Sequence, residues 1–198
     1  MVKFIYFDFG AVLVNYDEVF KKVCTDFNLD RDEFKNFYNG FVLDMDVGKE
    51  SVSGFWKKSA ENFGLKNALE YDLAKSWVSD YKIIQPVFDM IRSLEGKVDM
   101  GIISNIHADV WWAAFEDNWV PKVKYKEILL SSDLGVIKPI RDIYEIAQEK
   151  ANVKAEEILF IDDKEENLVE PKKMGWKTIL FDQNKAVDGV NKIMEVLR

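Results

Sequence analysis

Four short apolar segments, each running abruptly into polar residues, constrain the fold of this chain more than any other feature of its sequence. They span residues 3–7, 98–103, 127–130 and 158–161, and a fifth, 177–181, follows Gly175. Near-continuous hydrophobicity over so few residues fits parallel strands covered on both faces by helices. Amphipathic stretches separate them. One begins at Pro86, turns Val87, Phe88, Ile91 and Leu94 inward and stops at Gly96. Others are expected over 107–119, 141–151, 165–174 and 187–197. Strand and helix alternating in this way predict an α/β fold with a Rossmann-like, doubly wound parallel sheet.

Between about Asn15 and Ile84 the alternation stops, and only helical spacing is found. Val19, Val23 and Phe27 mark one helix; Phe34, Phe37, Tyr38 and Phe41 mark a second. Val52, Phe55, Trp56 and Phe63, closed by Gly64, mark a third, and Leu69, Leu73, Trp77, Val78 and Tyr81 a fourth. The organisation expected is a core made of residues 1–14 and 85–198, with a four-helix insertion, 15–84, directly after the first strand.

Composition removes several function classes. A net charge of -8 argues against a nonspecific nucleic-acid binder, which needs basic surface for phosphate backbones. Cys24 is the only cysteine, so there is neither an intrachain disulfide nor a thiolate zinc site, and its apolar helical face predicts burial. No apolar run reaches membrane-spanning length and no signal peptide is read at the N-terminus, so no membrane association and a cytoplasmic location are expected.

In an open parallel sheet, ligands bind where the strands end in sequence, near the switch in strand order. Here the first strand runs into Asp8, the second into Ser104 and Asn105, the third into a loop holding Lys138, and the fourth into Asp162 and Asp163. Carboxylates gathered in one partly dehydrated crevice repel each other, and a hard divalent cation such as Mg²⁺ relieves the repulsion. Mg²⁺ and Lys138 would neutralise a phosphate, letting Asp8 attack phosphorus while Ser104 or Asn105 donates hydrogen bonds to phosphoryl oxygens.

The segments FDFGAVL, IISN, LGVIKPIRDIY and FIDDKEEN, in this order, resemble the four motifs of the haloacid dehalogenase superfamily over essentially the whole chain. The insertion, including DVGKESVSGFW, is similar to that superfamily's helical cap. The resemblance implies that Asp8 is the nucleophile and that Ser104 and Lys138 bind phosphate. It also implies that Asp162 and Asp163 are the acidic pair from which metal ligation comes, with the main-chain carbonyl of Gly10. Whether one or both of the pair touch metal is left open by the sequence.

Most phosphatases of the superfamily carry a second aspartate, a general acid and base, where this chain has Gly10. One sugar-phosphatase-like branch has glycine there, and the SSDLGVIKP segment resembles that branch as well. The expected activity is therefore Mg²⁺-dependent hydrolysis of a small phosphorylated metabolite, with a sugar phosphate such as a hexose 1-phosphate preferred because its leaving group needs less protonation. The alternatives are a 2-haloacid dehalogenase-type hydrolase and a catalytically weak ligand- or protein-binding relative. His107, the only histidine, is one candidate to replace the missing acid by titrating near neutral pH, against a packing role at a helix start. Asn167 is read either as a donor to a metal ligand or as a helix-surface residue. Trp56, Trp77, Trp111, Trp112 and Phe115 are read as packing groups.

Overall fold

The computed structural model describes every residue except Asn67 and Leu69. The first strand, β1 (Phe4–Phe7), is buried along its whole length. A tight turn follows in which Leu13 N–H donates to the Phe9 carbonyl and Ala11 takes a left-handed backbone, φ 53°. The chain then forms β2 (Val14–Asn15) and enters the helices α1 (Lys21–Phe27), α2 (Arg31–Asn39), α3 (Val42–Asp46), α4 (Val52–Asn62) and α5 (Leu73–Val78). It returns through β3 (Lys82–Ile83), which pairs antiparallel with β2. After that come α6 (Gln85–Leu94), β4 (Asp99–Ser104), α7 (Ala108–Glu116), β5 (Glu127–Leu130) and α8 (Ser131–Leu134). The chain ends with α9 (Arg141–Ala151), β6 (Ile158–Asp162), α10 (Glu165–Lys173), β7 (Lys177–Leu180) and α11 (Ala186–Val196).

Among the described residues the large sheet is five-stranded and parallel, in the order β5-β4-β1-β6-β7. Alternate residues of its strands feed two cores. Ile5, Phe7, Ile102 and Ile161 pack toward α6, α7, α11 and the insertion. Phe4, Tyr6, Ile103 and Phe160 pack toward α9 and α10, where the Tyr6 hydroxyl also donates to the Ala147 carbonyl at 2.8 Å. Burial on both faces is why these strands read as continuous apolar runs rather than alternating ones. Because the order reverses about β1, the loops after β1, β4 and β6 meet above the middle of the sheet, where such folds bind ligands.

The insertion differs from expectation in two ways. A short fifth helix, α3, lies between the expected second and third, and the two-residue strands β2 and β3 form its neck. Neither is long enough to show a period. Leu69, read as the start of the fourth helix, lies outside the described residues; α5 begins at Leu73, with the Asp72 carboxylate accepting from Lys75 N–H at 3.0 Å. The insertion shares one continuous apolar cluster with the sheet. Phe20, Phe34, Phe55 and Trp77 belong to the same cluster as Phe7, Phe9 and Trp111. α5 packs on α7, and α3 on α8. At that second contact Gly48 has φ 72°, and a Cβ there would meet the Ser132 carbonyl oxygen at 2.1 Å, so no other residue fits without moving one element. No helix among the described residues is long and apolar enough to cross a membrane.

Candidate active site

A cleft of about 260 Å³ lies over the carboxyl ends of β1, β4 and β6, with the insertion as its opposite wall. Asp8, Gly10, Ser104, Asn105, Lys138 and Asp163 line it from the sheet side; Tyr16, Tyr38, Asp46 and Trp77 line it from the insertion side. Asp8, Asp162 and Asp163 each place a carboxylate oxygen within 4.8 Å of the others.

Asp8 is held by main chain and by lysine. Its Oδ1 accepts from Phe9 N–H at 2.7 Å and lies 3.0 Å from Lys138 Nζ. Burial pushes its carboxyl up to about 6 against the opposing charge of Lys138, and the neighbouring charge of Asp162 pushes the same way. Ser104, itself buried beside Asp8, works in the other direction, favouring the charged form. Lys138 is enclosed as well, which by itself would lower its pKa. The charges of Asp8 and Asp162 more than offset this and hold the ammonium above its ordinary value.

The acidic pair divides into two environments. Asp162 is fully buried, and its oxygens are occupied: Oδ2 accepts from Lys138 Nζ at 2.6 Å, and Oδ1 accepts from Lys164 N–H and Asn167 Nδ2, each at 2.9 Å. Asp163 is half-buried and faces the cleft, and burial followed by the Asp162 charge raises its pKa. Asn167 is thus a buried donor to Asp162 rather than a surface residue, and its own carbonyl accepts from the Tyr144 hydroxyl at 2.7 Å. With Lys138 inside it, the ionised set of three carboxylates carries a net charge of −2. An all-oxygen donor set with that charge fits a hard divalent cation.

Asn105 lines the cleft and also ties it together. Its Nδ2 donates to the Lys138 carbonyl at 2.9 Å and its Oδ1 accepts from Lys138 N–H at 2.8 Å, so its amide clamps the lysine loop to the end of β4. Ser131 and Ser132 tie the same region together by accepting from the N–H groups of Ile106 and Ala108.

Gly10 is covered by Tyr16. A Cβ at Gly10 would meet Tyr16 Cε1 at 2.7 Å, so the tyrosine ring fills the space into which a side chain there would project. Burial, followed by the charges of Asp163 and Asp8, pushes the Tyr16 phenol up to about 12. Gly10→Ala is expected to cost about 1 kcal/mol from overpacking, and Tyr16→Ala in the same chain should remove most of that cost. A double-mutant cycle by urea unfolding measures it; a Gly10→Ala cost that persists without the Tyr16 ring would put its origin in the backbone.

His107 does not titrate near neutrality as the sequence reading allowed. It stands buried just before α7, and burial pushes its pKa down to about 4, so the ring is neutral at pH 7. Its Nε2 lies 3.3 Å from the Tyr38 hydroxyl and its Nδ1 3.6 Å from Asp46 Oδ1. Trp111 and Trp56 are core residues, but Trp112 is 50% exposed against Phe115, and Trp77 is buried yet lines the cleft.

Sequence reasoning missed Tyr16, Tyr38 and Asp46. Tyr38 looked like one more member of an apolar helical face, and Asp46 lies on a helix too short to show a period. Burial pushes the Asp46 carboxyl from an ordinary 3.8 up to about 6, with Lys164 opposing. Because the folded value lies above the unfolded one, the cost of its charge is absent below about pH 4, grows between pH 4 and 6 and is complete above pH 6. Asp46→Asn should then raise the melting temperature by roughly 5 °C at pH 8, on the order of 2 kcal/mol, with no such gain at pH 4. Equal gains at both pH values would show that the buried charge is not the cause.

Comparison with known proteins bears on this geometry. A D-ribitol-5-phosphate phosphatase of Bacteroides thetaiotaomicron is 27% identical over 211 residues, spanning 100% of this chain and 99% of that protein. Among solved structures, a HAD-like family hydrolase from Porphyromonas gingivalis superposes with a TM-score of 0.79 at 23% identity, over 100% of this chain and 98% of that one. A HAD-family enzyme from Bacteroides thetaiotaomicron, in complex with magnesium and inorganic phosphate, superposes with a TM-score of 0.75 at 21% identity, over 93% and 96%. The sequence pattern of the haloacid dehalogenase-like hydrolases matches residues 5–181, and this chain belongs to that family of hydrolases.

Proposed function

We propose that this chain is a Mg²⁺-dependent phosphomonoester hydrolase of a small metabolite, with Asp8 as its nucleophile. The observation that carries the reading is the cleft floor, where Asp8 and Asp162 flank the buried Lys138 and Asp163 adds a third carboxylate, for a net charge of −2 when all three are ionised. The carboxylates of Asp8 and Asp163 and the main-chain carbonyl of Gly10 would hold the metal, which when bound lowers the charge a carboxylate must approach. Asp162, its oxygens already taken, holds Lys138 in place. Lys138 and the Ser104 hydroxyl orient and neutralise the phosphoryl group. An Asp8 oxygen bonds to phosphorus as the ester P–O bond breaks, and the leaving oxygen takes a proton from water to depart as the alcohol. Water then attacks phosphorus, releasing phosphate and restoring the Asp8 carboxylate. Residues 15–84 act as a cap that excludes bulk water and chooses the alcohol.

For the substrate we take the wider class of sugar and polyol phosphates. The relative's named substrate, D-ribitol 5-phosphate, is an ester of an ordinary primary alcohol, so an acidic anomeric leaving group is not required of a relative. Phosphate release from ribitol 5-phosphate, hexose 1-phosphates and other phosphorylated metabolites, with Mg²⁺ and with chelator, tests the reading. Metal-dependent release is expected. Halide release from 2-haloacids without metal would replace it with the dehalogenase reading. Tight binding without turnover would replace it with a binding role.

A further inference from the structure

Three polar groups in the cleft wall have no task in the chemistry above. Asp46 closes α3 with its side chain 20% exposed to the cleft. Among the described residues no protein donor lies within hydrogen-bond distance of its carboxylate; His107 Nδ1, at 3.6 Å, is beyond that reach. That Nδ1 is buried and has no hydrogen-bond partner. Tyr38 completes the group through its hydroxyl, 3.3 Å from His107 Nε2.

The three are fixed by aromatic packing. Tyr38 meets Phe20, Phe55 and Trp77 edge to face, with centroids 5.0–5.6 Å apart, and the Trp77 ring stands 5.3 Å from His107. A half-buried carboxylate without a protein donor costs stability, as its raised pKa attests, and no structural bond offsets that cost. Groups that cost stability and are rigidly held belong to function more often than to folding.

We propose that Asp46, His107 and Tyr38 read the alcohol half of the ester, binding the hydroxyl groups of an uncharged polyol and turning away alcohols that carry a carboxylate. The inference rests on the phosphatase reading. Asp46 offers acceptor oxygens to hydroxyl donors, the neutral imidazole and the phenol each offer a donor or an acceptor, and Trp77 supplies an apolar face for the carbon chain. A second anion on the substrate would meet the Asp46 charge in a partly dehydrated cleft, so the same residue that favours hydroxyls disfavours acids.

The experiment compares the full chain with Asp46→Asn and Tyr38→Phe, in Mg²⁺, on four esters: ribitol 5-phosphate, 2-phosphoglycolate, phosphoethanolamine and p-nitrophenyl phosphate. The wild type should have its highest kcat/KM, relative to p-nitrophenyl phosphate, on the polyol ester. Asp46→Asn should shrink that preference about tenfold, chiefly through KM, and should narrow the gap between the polyol and phosphoglycolate. Tyr38→Phe should lower the polyol preference without changing the phosphoglycolate ratio. Equal losses on all four esters would make these groups structural and overturn the inference, as would a wild-type preference for phosphoethanolamine or phosphoglycolate. Failure to release phosphate from any ester would instead overturn the phosphatase reading, and the inference with it.

Discussion

Asp8→Asn is expected to lower phosphate release by on the order of 10⁴-fold or more, while leaving the chain folded. An amide has no anionic oxygen to offer phosphorus, and no other described carboxylate is placed to replace it. Asp162 has its oxygens bound to Lys138, Lys164 and Asn167. Asp163 is the metal-facing group in the proposed arrangement. The fold should survive because the Asp8 charge is costly where it lies; its carboxyl is pushed up to about 6 by burial. Lys138 keeps Asp162 at 2.6 Å as its counter-charge. Single-turnover phosphate release measures the loss, and thermal unfolding in parallel shows that it is not a folding defect. Residual release within about tenfold of wild type would show that Asp8 is not the nucleophile.

The second large effect concerns Lys138. Its ammonium is enclosed between Asp8 at 3.0 Å and Asp162 at 2.6 Å. Lys138→Met keeps most of the volume but leaves two carboxylates facing each other without a cation. Removing one partner of a buried ion pair costs about 3–5 kcal/mol, because the remaining charge is neither hydrated nor neutralised. For a chain of this size, that corresponds to a fall in melting temperature of roughly 6–20 °C. Mg²⁺ should restore part of the loss by supplying positive charge to the same carboxylates, whereas turnover should not recover, since the phosphoryl group also loses its lysine. Melting curves with and without Mg²⁺ measure the effect. In the double variant with Asp8→Asn the destabilisation should be smaller than the sum of the two, since one of the uncompensated charges is already gone. A change of less than about 2 °C for Lys138→Met alone would mean that the buried pair contributes little and that the cleft is wetter than its geometry indicates.

How far these residues could be found from the sequence depended on what each one needs. Strands β1, β4 and β6 were legible because burial on both faces imposes continuous apolar runs, and the edge strands β5 and β7, less fully buried, by short apolar segments that end in polar residues. Helices such as α6 and α9 were legible because one buried face imposes a period. The polar residue ending each strand then marked Asp8, Ser104 and the Asp162–Asp163 pair without any knowledge of their contacts. Helix α3 and strands β2 and β3 were not legible. Two to five residues cannot display a period, and their shape is set by the elements they touch. The Asn105 clamp on the Lys138 loop and the exposure of Trp112 were not legible for a related reason: the sequence shows which residue types lie at a strand end or on a helix, not which partner each will find.

By itself the sequence determined the parallel α/β core, the helical character of the insertion and the identity of the groups carried by the strand ends, since each follows from local pattern. Only the tertiary structure decided that Asp162 supports Lys138 while Asp163 faces the cleft, that Tyr16 covers Gly10, and that Asp46, Tyr38 and His107 meet. His107 is 61 residues from Asp46 and 69 from Tyr38. Contacts over such separations come from packing between elements, which leaves no periodic trace in the chain.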